Sequence, residues 1–364
     1  MKKLILIIVS VAVLSTVIFL TAIYPPKFKE QPLVIAHRGA SGYLPEHTLE
    51  AKALAFGMGA DYIEQDVVMS KDGHLVVLHD LTLDATTDVA SKFPDRQRTD
   101  GKFYVIDFTL AELKQLNAHE RTTLDTNNNR IAVYPNRFPI EKQHFSIHTF
   151  AEEIELIQGL NASMKKTVGI YPEIKAPWFH LNEGKDISLA VLQTLKAFGY
   201  STKSSRVYLQ SFDANELQRV KYQLLPQLSM DIKLVQLIAE TSWQETYEMK
   251  HNELVHYSYD WMFEETAMTK IAKYADGIGP WKSMLIQQDK NNGKLSVSDM
   301  VKKAHNEGLE VHPYTFRADP ERIASFATSY EDMVKIYVET LAIDGLFTDF
   351  PDKTKQALKA LSEK

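Results

Sequence analysis

Eight short β-rich runs recur along this chain with helical patterns between them, and that alternation restricts the fold more than any other feature. The runs are Leu33–Gly39, Tyr62–Ser70, Thr167–Lys175, Arg206–Phe212, Lys233–Ala239, Asp276–Pro280, Glu310–Phe316 and Gly345–Phe350. Most are followed by an amphipathic stretch. In His47–Ala60 the apolar residues are Leu49, Ala53, Leu54 and Phe56, and in Ile187–Phe198 they are Ile187, Val191, Leu192 and Leu195. Strands separated by helices form parallel βα units rather than hairpins. Eight units predict an α/β fold, a (β/α)8 TIM barrel with the helices packed on its outside, and 364 residues suffice to bury such a core.

One interval breaks the rhythm. Almost a hundred residues separate the second and third runs. A hairpin accounts for the first of them, with Val67–Ser70 and Leu75–His79 flanking the turn Lys71-Asp72-Gly73-His74. From about 81 to 146 the chain is polar and turn-rich, with Asn127-Asn128-Asn129 at its centre, and it reads as an inserted subdomain at the barrel mouth. No repeat or linker divides residues 30–364, so one domain with one insertion is expected. Ahead of it, Lys2 and Lys3 precede an uncharged apolar run from Leu4 to Tyr24. Residues 1–24 therefore read as a signal peptide, cleaved near Ala22, or as an uncleaved anchor. Either places the domain in the periplasm or elsewhere outside the cytoplasm, tethered to a membrane in the second case. The net charge of −6 argues against a nucleic-acid partner, and the absence of cysteine excludes thiolate metal sites and thiol nucleophiles.

In an eight-stranded βα barrel the chemistry gathers at the C-terminal strand ends. Here the first run leads into His37-Arg38-Gly39, bringing an imidazole and a phosphate-clamping guanidinium together, while Gly39 and Gly42 permit close backbone approach. In the second run, Glu64 and Asp66 share a face by strand periodicity. Two such carboxylates need a cation, a shared proton or a basic partner, and this spacing alone suits metal ligation and ion pairing equally. The third run adds Glu173, with Lys175 on the same face. Three carboxylates, water and a phosphate make an all-oxygen shell that suits Ca²⁺ or Mg²⁺. His79 ends the hairpin and, with His37, offers a base and an acid. The other ten histidines lack such company; His312, in the seventh run, reads equally well as a core residue. Gln210, Phe212, Trp281, Tyr314 and Asp349 fall at further strand ends as pocket lining or as packing.

Together His37-Arg38-Gly39-Ala40, Pro45-Glu46-His47-Thr48, Glu64-Gln65-Asp66-Val67 and Leu78-His79-Asp80 resemble the glycerophosphodiester phosphodiesterases. Tyr171-Pro172-Glu173-Ile174-Lys175 and Gly345-Leu346-Phe347-Thr348-Asp349-Phe350 resemble its periplasmic branch, and the likeness spans residues 32–355. It implies a metal-dependent barrel with an insertion after the second strand, hydrolysing glycerophosphodiesters to glycerol 3-phosphate and an alcohol. Position by position, it implies Glu64, Asp66 and Glu173 as ligands of Ca²⁺, and His37 and His79 as the acid–base pair. Arg38 and Lys175 would then contact phosphate, and Glu46 would orient the glycerol or a histidine. A phospholipase on the same barrel would need an apolar ramp beside the mouth, and a silent binding protein would lack a ligand or a histidine. The identity of the alcohol, and monomer against homodimer, stay open.

Overall fold

The computed structural model describes residues 31–364 except 141, 143, 252, 290, 291 and 364. The signal or anchor expected over 1–24 lies outside the described residues. Among those described, no helix is long and apolar enough to cross a membrane.

Eight parallel strands build the barrel: β1 Leu33–Ala36, β2 Tyr62–Met69, β3 Gly169–Ile174, β4 Tyr208–Ser211, β5 Lys233–Ile238, β6 Gly277–Pro280, β7 Glu310–Val311 and β8 Gly345–Thr348. They pair in the order β7-β6-β5-β4-β3-β2-β1-β8. The ring closes where Asp344 N donates to Val311 O at 3.1 Å, Phe347 N to Pro313 O at 3.0 Å and Phe316 N to Phe347 O at 2.8 Å. The seventh strand is shorter than its sequence suggests, because only two of its residues hold continuous pairing and Tyr314 and Phe316 make single bridges.

Strand parity sorts the barrel interior into layers. Ile35, Tyr62, Tyr171, Tyr208, Val235 and Phe347 point inward and pack as a plug, with Tyr171 stacked on Tyr208 at 4.9 Å and Tyr62 edge-on to Tyr208 at 5.1 Å. Two residues further along the same strands stand His37, Glu64, Glu173, Gln210 and Asp349, with Asp66 beyond Glu64. The aromatic plug is thus the floor of the polar layer. It also absorbs His312, whose Nδ1 lies 2.9 Å from the Tyr171 hydroxyl, which makes it a core residue.

Helices α1 Leu49–Gly57, α2 Phe150–Met164, α3 Ile187–Ala197, α4 Ala214–Arg219, α5 Ala267–Ile271, α6 Met300–Asn306, α7 Tyr330–Leu341 and α8 Pro351–Ser362 bury their apolar faces on the barrel exterior. Helix α1 starts two residues later than its apolar period suggests. Thr48 caps it by accepting from Ala51 N, and His47 takes a positive φ of 59° that no helix admits.

The segment between β2 and α2 departs from the polar reading of its sequence. Leu83, Val89, Phe103, Val105, Phe108, Leu113 and Leu116 are buried there together with Val68, Val76, Leu78 and Ile147. Their spacing follows neither a strand nor a helix period, since short turns and single-turn helices carry them. Two further hairpins, Tyr247–Lys250 with Glu253–His256 and Ile286–Gln288 with Leu295–Val297, follow β5 and β6 without a clear sequence signal.

Candidate active site

At the C-terminal end of the barrel lies a cavity of about 330 Å³ lined by His37, Arg38, Glu64, Asp66, His79, Glu173, Gln210, Phe212 and Trp281, all singled out from sequence. Leu237, Trp243, Tyr314, Thr315, Arg317 and Phe347 complete it. A second cavity of about 220 Å³ shares His37, Arg38, His79 and Arg317 and adds Glu46, Arg121, Tyr134, Arg137 and Asp349. The two histidines and Arg38 therefore stand where the cavities meet.

Parallel register places the acidic cluster, because Asp66 pairs with Glu173 and Glu173 with Gln210 across adjacent strands. All three carboxylates are buried. Burial pushes Glu64 above the usual carboxylate range, with Asp66 adding to it, and pushes Glu173 up in the same way against the pull of Lys175. Asp66 is held low, because Lys175, His79 and His47 outweigh its burial. Asp66 Oδ1 and Gln210 Oε1 are buried and find no hydrogen-bond partner among the described residues. Repelling carboxylates with an orphaned oxygen fit an oxygen-seeking cation.

His47 requires a correction, since it was grouped with histidines lacking relevant company. One donor atom each of His47, Glu64 and Asp66 lie within 4.8 Å of one another, a spacing that can hold a metal ion. Both His47 nitrogens are engaged, however. Lys52 Nζ can only donate, so Nδ1 accepts from it at 3.2 Å and Nε2–H donates to Asp66 Oδ2 at 2.8 Å. His47 thus aims Asp66 rather than offering a lone pair. Fully buried Lys52 also donates to the Glu64 carbonyl and pairs with Glu153 at 3.1 Å.

Each cavity histidine has a carboxylate behind it. His37 Nδ1 lies 2.7 Å from Asp349 Oδ1, and His79 Nδ1 lies 2.5 Å from Asp80 Oδ1. Burial raises Asp349, but Arg317 and Arg137, together with the hydrogen bond from His37, outweigh it and hold the carboxyl well below its usual range. The proton therefore sits on Nδ1 and Nε2 keeps its lone pair. Burial, then Arg38, drives His37 down to about 4. The same causes act on His79, whose side chain is 31% exposed and so better screened.

Two roles expected from the resemblance look different in three dimensions. Glu46 accepts from Arg38 Nη1 at 2.9 Å and from Arg121 Nε and Nη2 at 2.9 and 2.6 Å, so two guanidinium groups hold it, and of these two cavities it lines the second. Lys175 lies 2.8 Å from Glu173 Oε1 and is absent from the cavity lining, which makes it that carboxylate's counter-charge. Arg38 keeps the position expected of it. Its φ of 58° lets its amide donate to Glu64 Oε2 at 2.5 Å while its side chain turns to the cavity. The close approach expected at Gly39 and Gly42 is to the protein itself, for a Cβ would sit 2.8 Å from the Ala51 carbonyl carbon and 2.4 Å from the Phe350 ring respectively.

Sequence reading missed Asp80, Arg121, Arg137, Trp243 and Arg317. Asp80 adjoins His79, so adjacency was an available signal. Arg121, Arg137 and Arg317 sit on loops and Trp243 in the single 3-10 turn Thr241–Trp243, where no period exists.

The family model described as "Glycerophosphoryl diester phosphodiesterase family" matches residues 37–353. A Haemophilus influenzae protein named glycerophosphodiester phosphodiesterase is 52% identical over 338 residues, 92% of each chain. A Treponema pallidum protein of the same name is 46% identical over 88% of this chain and 90% of its own. Among solved structures, an Oleispira antarctica phosphodiesterase in complex with the product sn-glycerol-3-phosphate shares the fold, with a TM-score of 0.57 at 22% identity over 90% of this chain and 97% of its own.

Proposed function

The chain belongs to the glycerophosphoryl diester phosphodiesterase family, and from that premise we propose how its cavity hydrolyses a glycerophosphodiester to sn-glycerol 3-phosphate and an alcohol. The observation that carries the reading is the meeting of two carboxylate-backed histidines, one arginine and three repelling carboxylates at one barrel mouth. Glu64, Asp66 and Glu173 are the ligand set for a divalent cation, Ca²⁺ in preference to Mg²⁺, because buried carboxylates on three strand positions suit a larger, flexible shell. Such a cation supplies charge neutralisation at the phosphoryl group.

Arg38 binds a phosphoryl oxygen beside it. One histidine takes the proton of the attacking hydroxyl at its free Nε2. The other acts as the acid only after its own Nε2 has taken up a proton from solvent beside the bound anionic diester, and gives that proton to the departing alkoxide, while Asp349 and Asp80 hold the two rings through Nδ1–H. Phe212, Trp243, Trp281 and Tyr314 wall the larger cavity and exclude water from one side of the diester. About 330 Å³ seats a small headgroup diester rather than an acylated phospholipid. The apolar run Leu4–Tyr24 would deliver the enzyme beyond the cytoplasm, which cell fractionation with and without residues 1–24 tests.

The deciding experiment measures glycerol 3-phosphate release from glycerophosphocholine, with and without exhaustive chelation. Release that chelation abolishes and Ca²⁺ restores is expected. Activity indifferent to chelation would remove the cation from the mechanism, and near-normal turnover by both His37→Ala and His79→Ala would remove the histidines.

A further inference from the structure

We propose that Arg121 and Arg137, both carried by the segment inserted after β2, are positioning residues, each clamping the carboxylate that orients one of the two cavity histidines. This rests on His37 and His79 being the proton-transfer groups. Arg121 Nη1 donates to Asp80 Oδ2 at 2.7 Å, while Asp80 Oδ1 holds His79. The rest of its fork grips Glu46, which in turn braces Arg38. Arg137 repeats the arrangement on the other side. Its Nη2 donates to Asp349 Oδ2 at 2.7 Å, while Asp349 Oδ1 holds His37. The same guanidinium is anchored by Asp319 at 3.0 and 2.7 Å and by the Ser41 carbonyl at 3.0 Å.

The physical need is definite. A carboxylate that meets its histidine through one oxygen can rotate about its last side-chain bond, and the imidazole then loses both tautomer and direction. A guanidinium on the second oxygen fixes the carboxylate plane, and its planar fork reaches further partners simultaneously, which an ammonium cannot do with the same geometry. Both side chains are well buried, 18% and 4% exposed, so these pairs are weakly screened. The barrel supplies the histidines and their carboxylates, and the insertion supplies the guanidinium on Asp80 and one of the two on Asp349, where Arg317 Nε also donates to Oδ2 at 2.8 Å. The insertion is then a part of the proton-transfer machinery and not only a rim around the mouth.

The test compares full-length Arg121→Gln and Arg137→Gln with the unaltered protein and with Arg130→Gln, which removes an insertion arginine bonded to the Thr87 carbonyl and His119 instead. In both positioning variants kcat should fall about tenfold or more, the scale for losing a histidine's orienting partner, with KM changed less than about twofold. Added guanidinium ion should recover part of the lost kcat. Nitrogen-15 NMR of histidine-labelled protein should show a tautomer-sensitive shift at His79 in the Arg121 variant and at His37 in the Arg137 variant. Arg121→Lys and Arg137→Lys, which keep the charge and lose the fork, should show the same loss, and they serve if a glutamine variant does not fold. Retained kcat, unmoved histidine resonances or an equal loss in Arg130→Gln would overturn the proposal. Should the unaltered protein not cleave glycerophosphocholine, the functional reading fails, whereas the NMR comparison still decides whether the arginines hold the rings.

Discussion

At the scale of single residues, the site is a set of charges whose partners decide what each can do. His37 is a base depressed to about 4. A base lowered from about 6.5 contributes stability that is present above the unfolded value and lost as pH falls through the folded one. Between pH 7 and pH 4 the unaltered protein should therefore lose on the order of 3 kcal/mol that His37→Asn does not lose. Urea unfolding of both proteins at the two pH values checks this, and parallel losses would contradict the burial of a neutral ring. Lys52 is the second lever, because it pairs with Glu153, orients His47 and braces the Glu64 backbone with no solvent contact. Removing one partner of a buried pair strands the other, so Lys52→Met should cost about 3–5 kcal/mol of stability. It should also weaken Ca²⁺ binding, read by calorimetric titration, since His47 loses the donor that fixes its tautomer. Much of this was legible in sequence for residues on strand ends, where parity gives direction. Glu64, Asp66, Glu173, His37 and Gln210 all face the cavity as two-residue periodicity requires. Lys52 was not legible, because its helix face looks merely amphipathic and only the buried partner Glu153 reveals its task.

Elements explain why some expectations moved by a few residues. Helix α1 begins at Leu49 because Thr48 caps it, and the turn before it uses the left-handed conformations of Arg38 and His47 to aim both side chains at the barrel mouth. The β1–α1 loop is packed against the end of β8 at Gly42, where an added Cβ would meet the Phe350 ring. Gly42→Ala must push that ring, and Asp349 beside it, away from the site. The expected cost is about 1–3 kcal/mol of stability, together with a fall in kcat larger than any change in KM, measured by unfolding and steady-state kinetics. An unchanged kcat would show that Asp349 is insulated from its neighbour. The inserted segment teaches the opposite lesson. Its apolar residues are spread over short turns without a period, so the sequence reads as polar although a small buried cluster holds it together.

For the whole molecule, a cation bound among Glu64, Asp66 and Glu173 would tie three parallel strand positions at one end of the barrel. Any ligand that binds only the folded chain stabilises it by mass action, about 4 kcal/mol at a thousand times its dissociation constant. The melting temperature should climb steadily with the logarithm of Ca²⁺ concentration and drop on chelation, and a flat response would refute this ligand set. The amino-acid order alone determined the barrel, its strand succession and the carboxylate and histidine positions, because alternation of βα units and two-residue parity are local rules that a chain carries in its sequence. What only the tertiary structure decided is which charge neutralises which. Glu46 serves two arginines, Lys175 serves Glu173, His47 serves Asp66, and Arg121 and Arg137 reach in from the insertion to the backing carboxylates of the two histidines. Those pairings join residues up to hundreds of positions apart, and Coulomb energy depends on distance in space and local burial, neither of which is written in the order of residues.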